Sequence, residues 1–209
     1  MKILIADDHV LFRQGLMQIL AEEFPRTVFG EASNTRELMD RVQKQTWDVV
    51  LLNITMPGRN GLDVLKEMNQ TRPRLPVLVL SMHPEDQFAL RALQAGAAGY
   101  MTKESAAAAL VKAIQDVIGG GTYISTAFAP RLARQIGGHT DKPGHETLSD
   151  RELEVMLLMA RGKRVKDIAG ELSLSVKTIS THRQHILRKL KLTNNAEIIR
   201  YALRNRLVD

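Results

Sequence analysis

The chain has no cysteine, which excludes disulfides, cysteine-ligated zinc and thiol nucleophiles. It also lacks any uncharged apolar run of membrane-spanning length, so no membrane association is expected. The opening Met1-Lys2-Ile3-Leu4-Ile5-Ala6-Asp7-Asp8 offers four apolar residues ahead of two acids, too few for the apolar region of a signal peptide. A cytoplasmic protein is the expectation. An excess of basic charge is missing as well from most of the chain. Residues 1–122 carry 13 Lys/Arg against 14 Asp/Glu, residues 123–146 carry 3 against 2, and residues 147–209 carry 13 against 7. The net charge of +6 therefore arises in the last third, and a small segment this basic points to a polyanion, nucleic acid first. What is present, 44% apolar and 25% charged residues over 209 positions, suits two ordinary folded domains.

From the start to about residue 122, short apolar runs alternate with amphipathic stretches. Lys2–Ala6 is followed by Leu11–Leu20, Thr27–Ala32 by Leu38–Val42, Val49–Leu52 by Leu62–Met68, Val77–Leu80 by Phe88–Ala95, and Gly99–Met101 by Ala106–Ile118. Runs of four to six aliphatic residues suit strands buried on both faces, with helical spacing between them. Five such units predict an α/β doubly wound, five-stranded parallel sheet. Residues 123–146 read as a linker: Ala127–Ile136 suits a short helix, and Gly137-Gly138-His139-Thr140-Asp141-Lys142-Pro143-Gly144-His145 is a run of polar residues and chain breakers. From Leu148 to the end every segment has helical spacing, with Ser149 and Glu152 placed for a capping box and Ser175 for a second N-cap. Residues 147–209 are thus expected to form a small all-α domain.

In a doubly wound sheet, function gathers at the carboxyl ends of the strands. There stand Asp7 and Asp8, Asn53, Ser81 and Lys103. Adjacent acids suit a hard cation such as Mg²⁺, while a hydroxyl and an ammonium suit phosphoryl oxygens. The segments Ile5-Ala6-Asp7-Asp8-His9, Asp48-Val49-Val50-Leu51-Leu52-Asn53-Ile54-Thr55-Met56-Pro57-Gly58, Ser81 and Tyr100-Met101-Thr102-Lys103 resemble a CheY-like receiver over residues 2 to about 120. The resemblance implies a five-strand order of 2-1-3-4-5. It also implies Mg²⁺ held by Asp7, Asp8, the residue at 53 and the Thr55 carbonyl, with Ser81 and Lys103 on the phosphoryl oxygens and Tyr100 as an aromatic switch. The family's phosphoacceptor aspartate is replaced here by Asn53, whose carboxamide cannot form an acyl phosphate and weakens the Mg²⁺ site. Two readings stand. One is a degenerate receiver that signals without phosphate, through a ligand or protein partner; the other is a single replacement in a competent pocket. Retention of Asp7, Asp8, Ser81 and Lys103 favours the second, because an acid pair is costly unless it binds something. A plainer alternative has the acids merely ending a strand, with Asp8 capping the next helix and Lys103 neutralising the pair.

The run Leu148-Ser149-Asp150-Arg151-Glu152-Leu153-Glu154-Val155, Ile168-Ala169, Leu172 and Ser175-Val176-Lys177-Thr178-Ile179-Ser180-Thr181-His182 resembles a LuxR-type helix-turn-helix. With the receiver, the whole chain is similar to NarL/FixJ response regulators. This implies a sensor histidine kinase partner, a transcriptional role, and homodimers on double-stranded DNA. Helical spacing places Val176, Ile179, Ile186 and Leu190 on an inward stripe, and Lys177, Thr181, Gln184 and Arg188 on a second face able to enter a major groove. Gln pairs with adenine's edge and a Thr methyl meets thymine's, whereas Lys and Arg meet phosphates. Alignment with the family assigns Ser180, Thr181 and Gln184 to bases, and Lys177, Thr178, His182 and Arg188 mainly to the backbone, with Lys163, Lys166 and Arg183 as weaker phosphate candidates. Ile198, Ile199, Ala202, Leu203 and Leu207 form a last apolar stripe, expected in the core and, by resemblance, at a dimer contact. His182 and His185 have metal-sharing spacing without an evident third ligand, and no hydrolase oxyanion hole accompanies Ser81 and His83. No enzymatic activity is expected.

Overall fold

The structure is a computed structural model that describes residues 1–105, 107–136 and 144–208. Backbone proximity divides the chain into two compact units, Met1–Gly138 and His139–Asp209. Residues 137–143 of the expected linker lie outside the described residues.

The first unit runs β1 (Lys2–Ala6), α1 (Val10–Glu23), β2 (Val28–Ala32), α2 (Thr35–Lys44), β3 (Val49–Leu52), α3 (Gly61–Thr71), β4 (Val77–Ser81), α4 (Glu85–Gln94), β5 (Gly99–Thr102), α5 (Ala107–Ile118) and α6 (Ala129–Ile136). All five strands are parallel, in the order β2-β1-β3-β4-β5. Aliphatic runs with no polar face, such as Val49–Leu52 and Val77–Ser81, are buried at every residue, as strands covered on both sides must be. Ile3, Ile5, Val49, Leu51, Leu78, Leu80 and Met101 form one core with Leu16 and Leu20 of α1 and Leu110, Ala113, Ile114 and Val117 of α5. The alternate residues Leu4, Val50, Leu52, Val79 and Tyr100 are buried too, on the opposite face of the pleat. Burying one such Leu is worth roughly 1.5–3 kcal/mol, so the centre of the sheet is the firm platform for the loops above it. The expectation of two buried faces fails at β2. Among the described residues β1 is its only sheet neighbour, and its Val28 is 57% exposed.

Helix starts follow local chemistry. Asn34 accepts the Glu37 N–H to cap α2, and Asn60 accepts the Leu62 N–H to cap α3. The α1 N-cap is His9, with no side-chain capping bond, so Asp8 does not cap that helix.

The second unit contains a short 3₁₀ turn (Gly144–Thr147), α7 (Asp150–Ala160), α8 (Val165–Glu171), α9 (Val176–Leu190) and α10 (Asn195–Arg204). Both halves of the Ser149/Glu152 capping box form, and the Ser175 side chain accepts the Thr178 N–H at the start of α9. Every residue from Glu152 to Ala160 is buried, making α7 the central post of this unit. Ile168, Leu172, Ile179, Ile186, Ile198, Ala202 and Leu207 are buried with it.

Candidate functional site

The parallel register brings the strand ends together. Ala6 pairs with Ala32 on one side and Leu52 on the other, and Ser81 pairs with Thr102. The next residue of each strand prolongs the ladder: Asp7 N–H donates to the Ala32 carbonyl (3.0 Å), Asn53 N–H to the Ala6 carbonyl (2.8 Å) and Lys103 N–H to the Ser81 carbonyl (2.8 Å). Asp7, Asn53, Ser81 and Lys103 are thereby set on the same sheet edge by backbone bonds alone.

Asp7 is buried and ion-pairs with the Lys103 ammonium, itself only 5% exposed along its side chain. Lys103 also lies 4.5 Å from the centre of the Phe12 ring, a cation–π contact. The neutralisation of an acid by Lys103 is therefore present. Asp8 is partly exposed. The Asn53 amide NH₂ donates to Asp8 Oδ1 (3.1 Å) and to the Thr55 carbonyl (2.8 Å), while Asn53 Oδ1 accepts the Thr55 N–H (3.1 Å). One carboxamide thus spans two of the oxygens that a hard cation would use. Asp7, Asp8 and the Thr55 carbonyl are oxygen donors of the kind a hard cation takes, and the amide meets part of the demand of Asp8 and Thr55 by hydrogen bonding.

Ser81 is fully buried, and its hydroxyl accepts the His83 N–H (3.1 Å). Tyr100 is buried and its hydroxyl donates to the His83 carbonyl (2.8 Å). Burial keeps its phenol protonated far above the ordinary range, despite the Ser81 hydroxyl beside it.

Three further residues stand in this region: His9 and Arg13, which were given no role from the sequence, and His83, which was weighed there only beside Ser81 for hydrolase chemistry. His9 Nδ1 lies 3.1 Å from both Asp7 Oδ1 and Asp8 Oδ1, and donor atoms of Asp7, Asp8 and His9 all fall within 4.8 Å of one another. Arg13 is buried, donating to the Asp7 carbonyl (2.7 Å) and to Glu31 (2.8 Å). His83 is buried, with Nε2 3.3 Å from Thr55 Oγ1 and its ring 4.7 Å from that of Phe88. Arg13 had a legible signal: it stands three residues before Leu16 and seven before Leu20, on the buried stripe of α1.

On α9, Lys177, Thr181, Gln184 and Arg188 are all exposed, and Thr178, Ser180 and His182 are half-buried. Of the expected inward stripe, Ile179 and Ile186 are fully buried and Leu190 half-buried, but Val176 is 50% exposed. It is the first residue of α9, next to the exposed Lys177. Burial, then the charge of Arg151, holds the His182 imidazole below its usual range, which keeps it neutral. His185 faces Glu152 (3.3 Å), and Lys189 pairs with the same carboxylate at 2.6 Å. Burial would raise the Glu152 carboxyl, but Lys189 and Ser149 together hold it low. These contacts fix the rotation of α9 on α7. Lys163 pairs with Glu171, and Arg183 donates to Asn195 (2.6 Å), which occupies two of the weaker phosphate candidates.

Two family models match the chain: the response regulator receiver domain over residues 3–115, and the bacterial regulatory proteins of the luxR family over residues 146–202. Across its whole length the chain is 36% identical to the response regulator GacA of Pseudomonas syringae pv. syringae (strain B728a), covering 98% of that protein. It is 33% identical to the response regulator UvrY of Escherichia coli (strain K12), over 99% of this chain and 95% of that one. A solved structure of RcsB from Salmonella enterica serovar Typhimurium, bound to promoter rprA in the presence of phosphomimetic BeF₃⁻, matches with a TM-score of 0.66 at 28% identity, over 96% of this chain and 98% of that one.

A 2-1-3-4-5 parallel sheet with acids at its carboxyl edge, followed by a basic helix-turn-helix, defines a signalling protein whose receiver gates DNA binding, not a catalyst. The chain belongs to the NarL/FixJ family of two-component response regulators.

Proposed function

We propose that this protein is a cytoplasmic transcriptional regulator whose phosphotransfer step is blocked at Asn53 within an otherwise competent receiver pocket. The observation that carries this reading is the Asn53 amide bridging Asp8 Oδ1 and the Thr55 carbonyl. That one amide touches two of the oxygens proposed for the cation supports a pocket in which the nucleophile alone is changed. Asp7, Asp8 and the Thr55 carbonyl would hold Mg²⁺, more weakly than with an acid at 53. Mg²⁺, when bound, supplies positive charge against the phosphoryl oxygens. Ser81 and Lys103 stabilise charge on those oxygens, and Tyr100 reports the change. The phosphoryl source is a sensor histidine kinase. Residues 1–122 act as receiver, 123–146 as linker and 147–209 as the DNA-binding domain. On double-stranded DNA, bound as a homodimer, Ser180, Thr181 and Gln184 read bases, while Lys177, Thr178, His182 and Arg188 meet the backbone. His182, being neutral, does so as a hydrogen-bond donor.

The test is Asn53→Asp. The carboxylate it introduces attacks the phosphorus of a small acyl phosphate, the donor's P–O bond breaks, and the donor leaves as its carboxylate. Intact-mass measurement with Mg²⁺ should show one phosphoryl group on Asn53→Asp and none on the unmodified chain. The same bridging amide also favours a second reading, because it satisfies Asp8 and Thr55 without any cation: a receiver that signals independently of phosphate, through a ligand or protein partner. An Asn53→Asp variant that stays unmodified, under conditions that label an ordinary receiver, selects that second reading.

A further inference from the structure

After α5 the chain does not leave the receiver directly. Tyr123 N–H donates to the Ala98 carbonyl (2.9 Å), and Tyr123 forms a parallel bridge with Gly99 at the outer edge of β5. A Cβ at Gly99 would stand 2.9 Å from both Tyr123 Cβ and the Tyr123 carbonyl oxygen, so glycine is what admits this crossing. Two residues on, the Ser125 hydroxyl donates to the Glu85 carboxylate, the first residue of α4. Ser125 Oγ also accepts the Phe128 N–H (3.2 Å), and Phe128 is buried. Glu85 lies two residues beyond His83, which touches Ser81 through its N–H, Tyr100 through its carbonyl and Thr55 through its ring. One short loop thus joins the phosphoryl-facing residues to the chain that leads to the helix-turn-helix.

We infer that residues 121–128 are a strap, latched by Glu85–Ser125, through which the pocket controls how freely the DNA-binding unit is tethered. The inference rests on the receiver gating the helix-turn-helix and deepens how it does so. A shift of the loop around His83 moves the Glu85 carboxylate away from Ser125 and frees the strap. Eight released residues add up to ~26 Å of reach at about 3.3 Å each, comparable with the ~34 Å between half-sites one helical turn apart.

The test uses the full-length chain with Ser125→Ala, Glu85→Ala, Glu85→Gln and Tyr100→Phe. Amide hydrogen exchange at Tyr123 should quicken about tenfold in Ser125→Ala and Glu85→Ala, the scale of one lost charge-assisted bond. Glu85→Gln, whose amide oxygen can still accept from Ser125, should retain protection. Tyr100→Phe, which frees the His83 carbonyl, should quicken Tyr123 as well, while the Asn53 amide stays protected in Ser125→Ala. On a duplex carrying two half-sites, selected from a random pool by the unmodified chain, Ser125→Ala should bind roughly three- to tenfold more tightly, with no gain on one half-site. Unchanged Tyr123 exchange in both alanine variants overturns the latch, and unchanged exchange in Tyr100→Phe overturns its link to the pocket. Equal or weaker binding of Ser125→Ala to the two-half-site duplex overturns the tether role. If the unmodified chain selects no duplex, the DNA-reading assignment fails, and the exchange data still decide the latch.

Discussion

A carboxamide differs from a carboxylate by one NH₂ group, and at position 53 that group does what a second oxygen could not: it donates to Asp8 and to the Thr55 carbonyl. An aspartate there would set a further negative charge beside Asp8. Two carboxylates ~4 Å apart repel by about 4 kcal/mol at an effective dielectric of ~20. In chelator, the protein should therefore melt above its Asn53→Asp variant, and Mg²⁺ should narrow the gap because the variant binds it better. Thermal scans with and without the cation check this, and a lower melting point for the Asn53 form in chelator contradicts the cluster. Asp7, Asn53 and Ser81 were legible in the sequence because each directly follows an aliphatic run, and Asp8 and Lys103 because each stands two residues beyond the end of a short apolar run. The contacts of His83 and Arg13 were not legible, because they are made with partners 28 and 18 positions away, Thr55 and Glu31.

At the scale of one element, α9 shows how two faces of a helix divide labour. Its inner face is held by Ile179, Ile186 and the bonds of His185 and Lys189 to Glu152, so the outer row of Lys177, Thr181, Gln184 and Arg188 cannot turn away. Gln184→Ala should relax preference at one base position by roughly 1–3 kcal/mol, whereas Lys177→Ala should weaken all sequences alike and lower the salt dependence of binding. Titrations of matched and random duplexes at several salt concentrations separate the two. Equal losses on both duplexes for Gln184→Ala remove it from the base-reading set. Periodicity assigned the outer row correctly to the exposed face but misplaced Val176. A helical repeat says which residues share a stripe, not how far along the helix the neighbouring post extends.

Across the whole molecule, each unit buries a core of its own. Among the described residues, no helix is long and apolar enough to cross a membrane. The last apolar stripe is split by folding: Ile198, Ala202 and Leu207 are buried, while Ile199 and Leu203 remain 36% and 49% exposed. That outward pair, four residues apart on α10, suits contact with a second copy. Leu203→Glu should lower binding to a two-half-site duplex about tenfold or more, while leaving binding to a single half-site and the helical circular dichroism unchanged. Equal losses on both duplexes would assign Leu203 to folding.

The sequence by itself determined the element order, the parallel sheet, the caps at Ser149 and Ser175, the strand-end residues and the basic third of the chain. These follow from local periodicity and from residue chemistry that acts within a few positions. Tertiary structure alone decided that β2 is half-exposed, that Lys103 pairs with Asp7, that the Asn53 amide spans Asp8 and Thr55, and that Ser125 closes on Glu85. The meetings of Lys103 with Asp7, Asn53 with Asp8 and Ser125 with Glu85 join residues 40 to 96 positions apart, and their geometry is set by sheet register and helix packing, which no local pattern encodes.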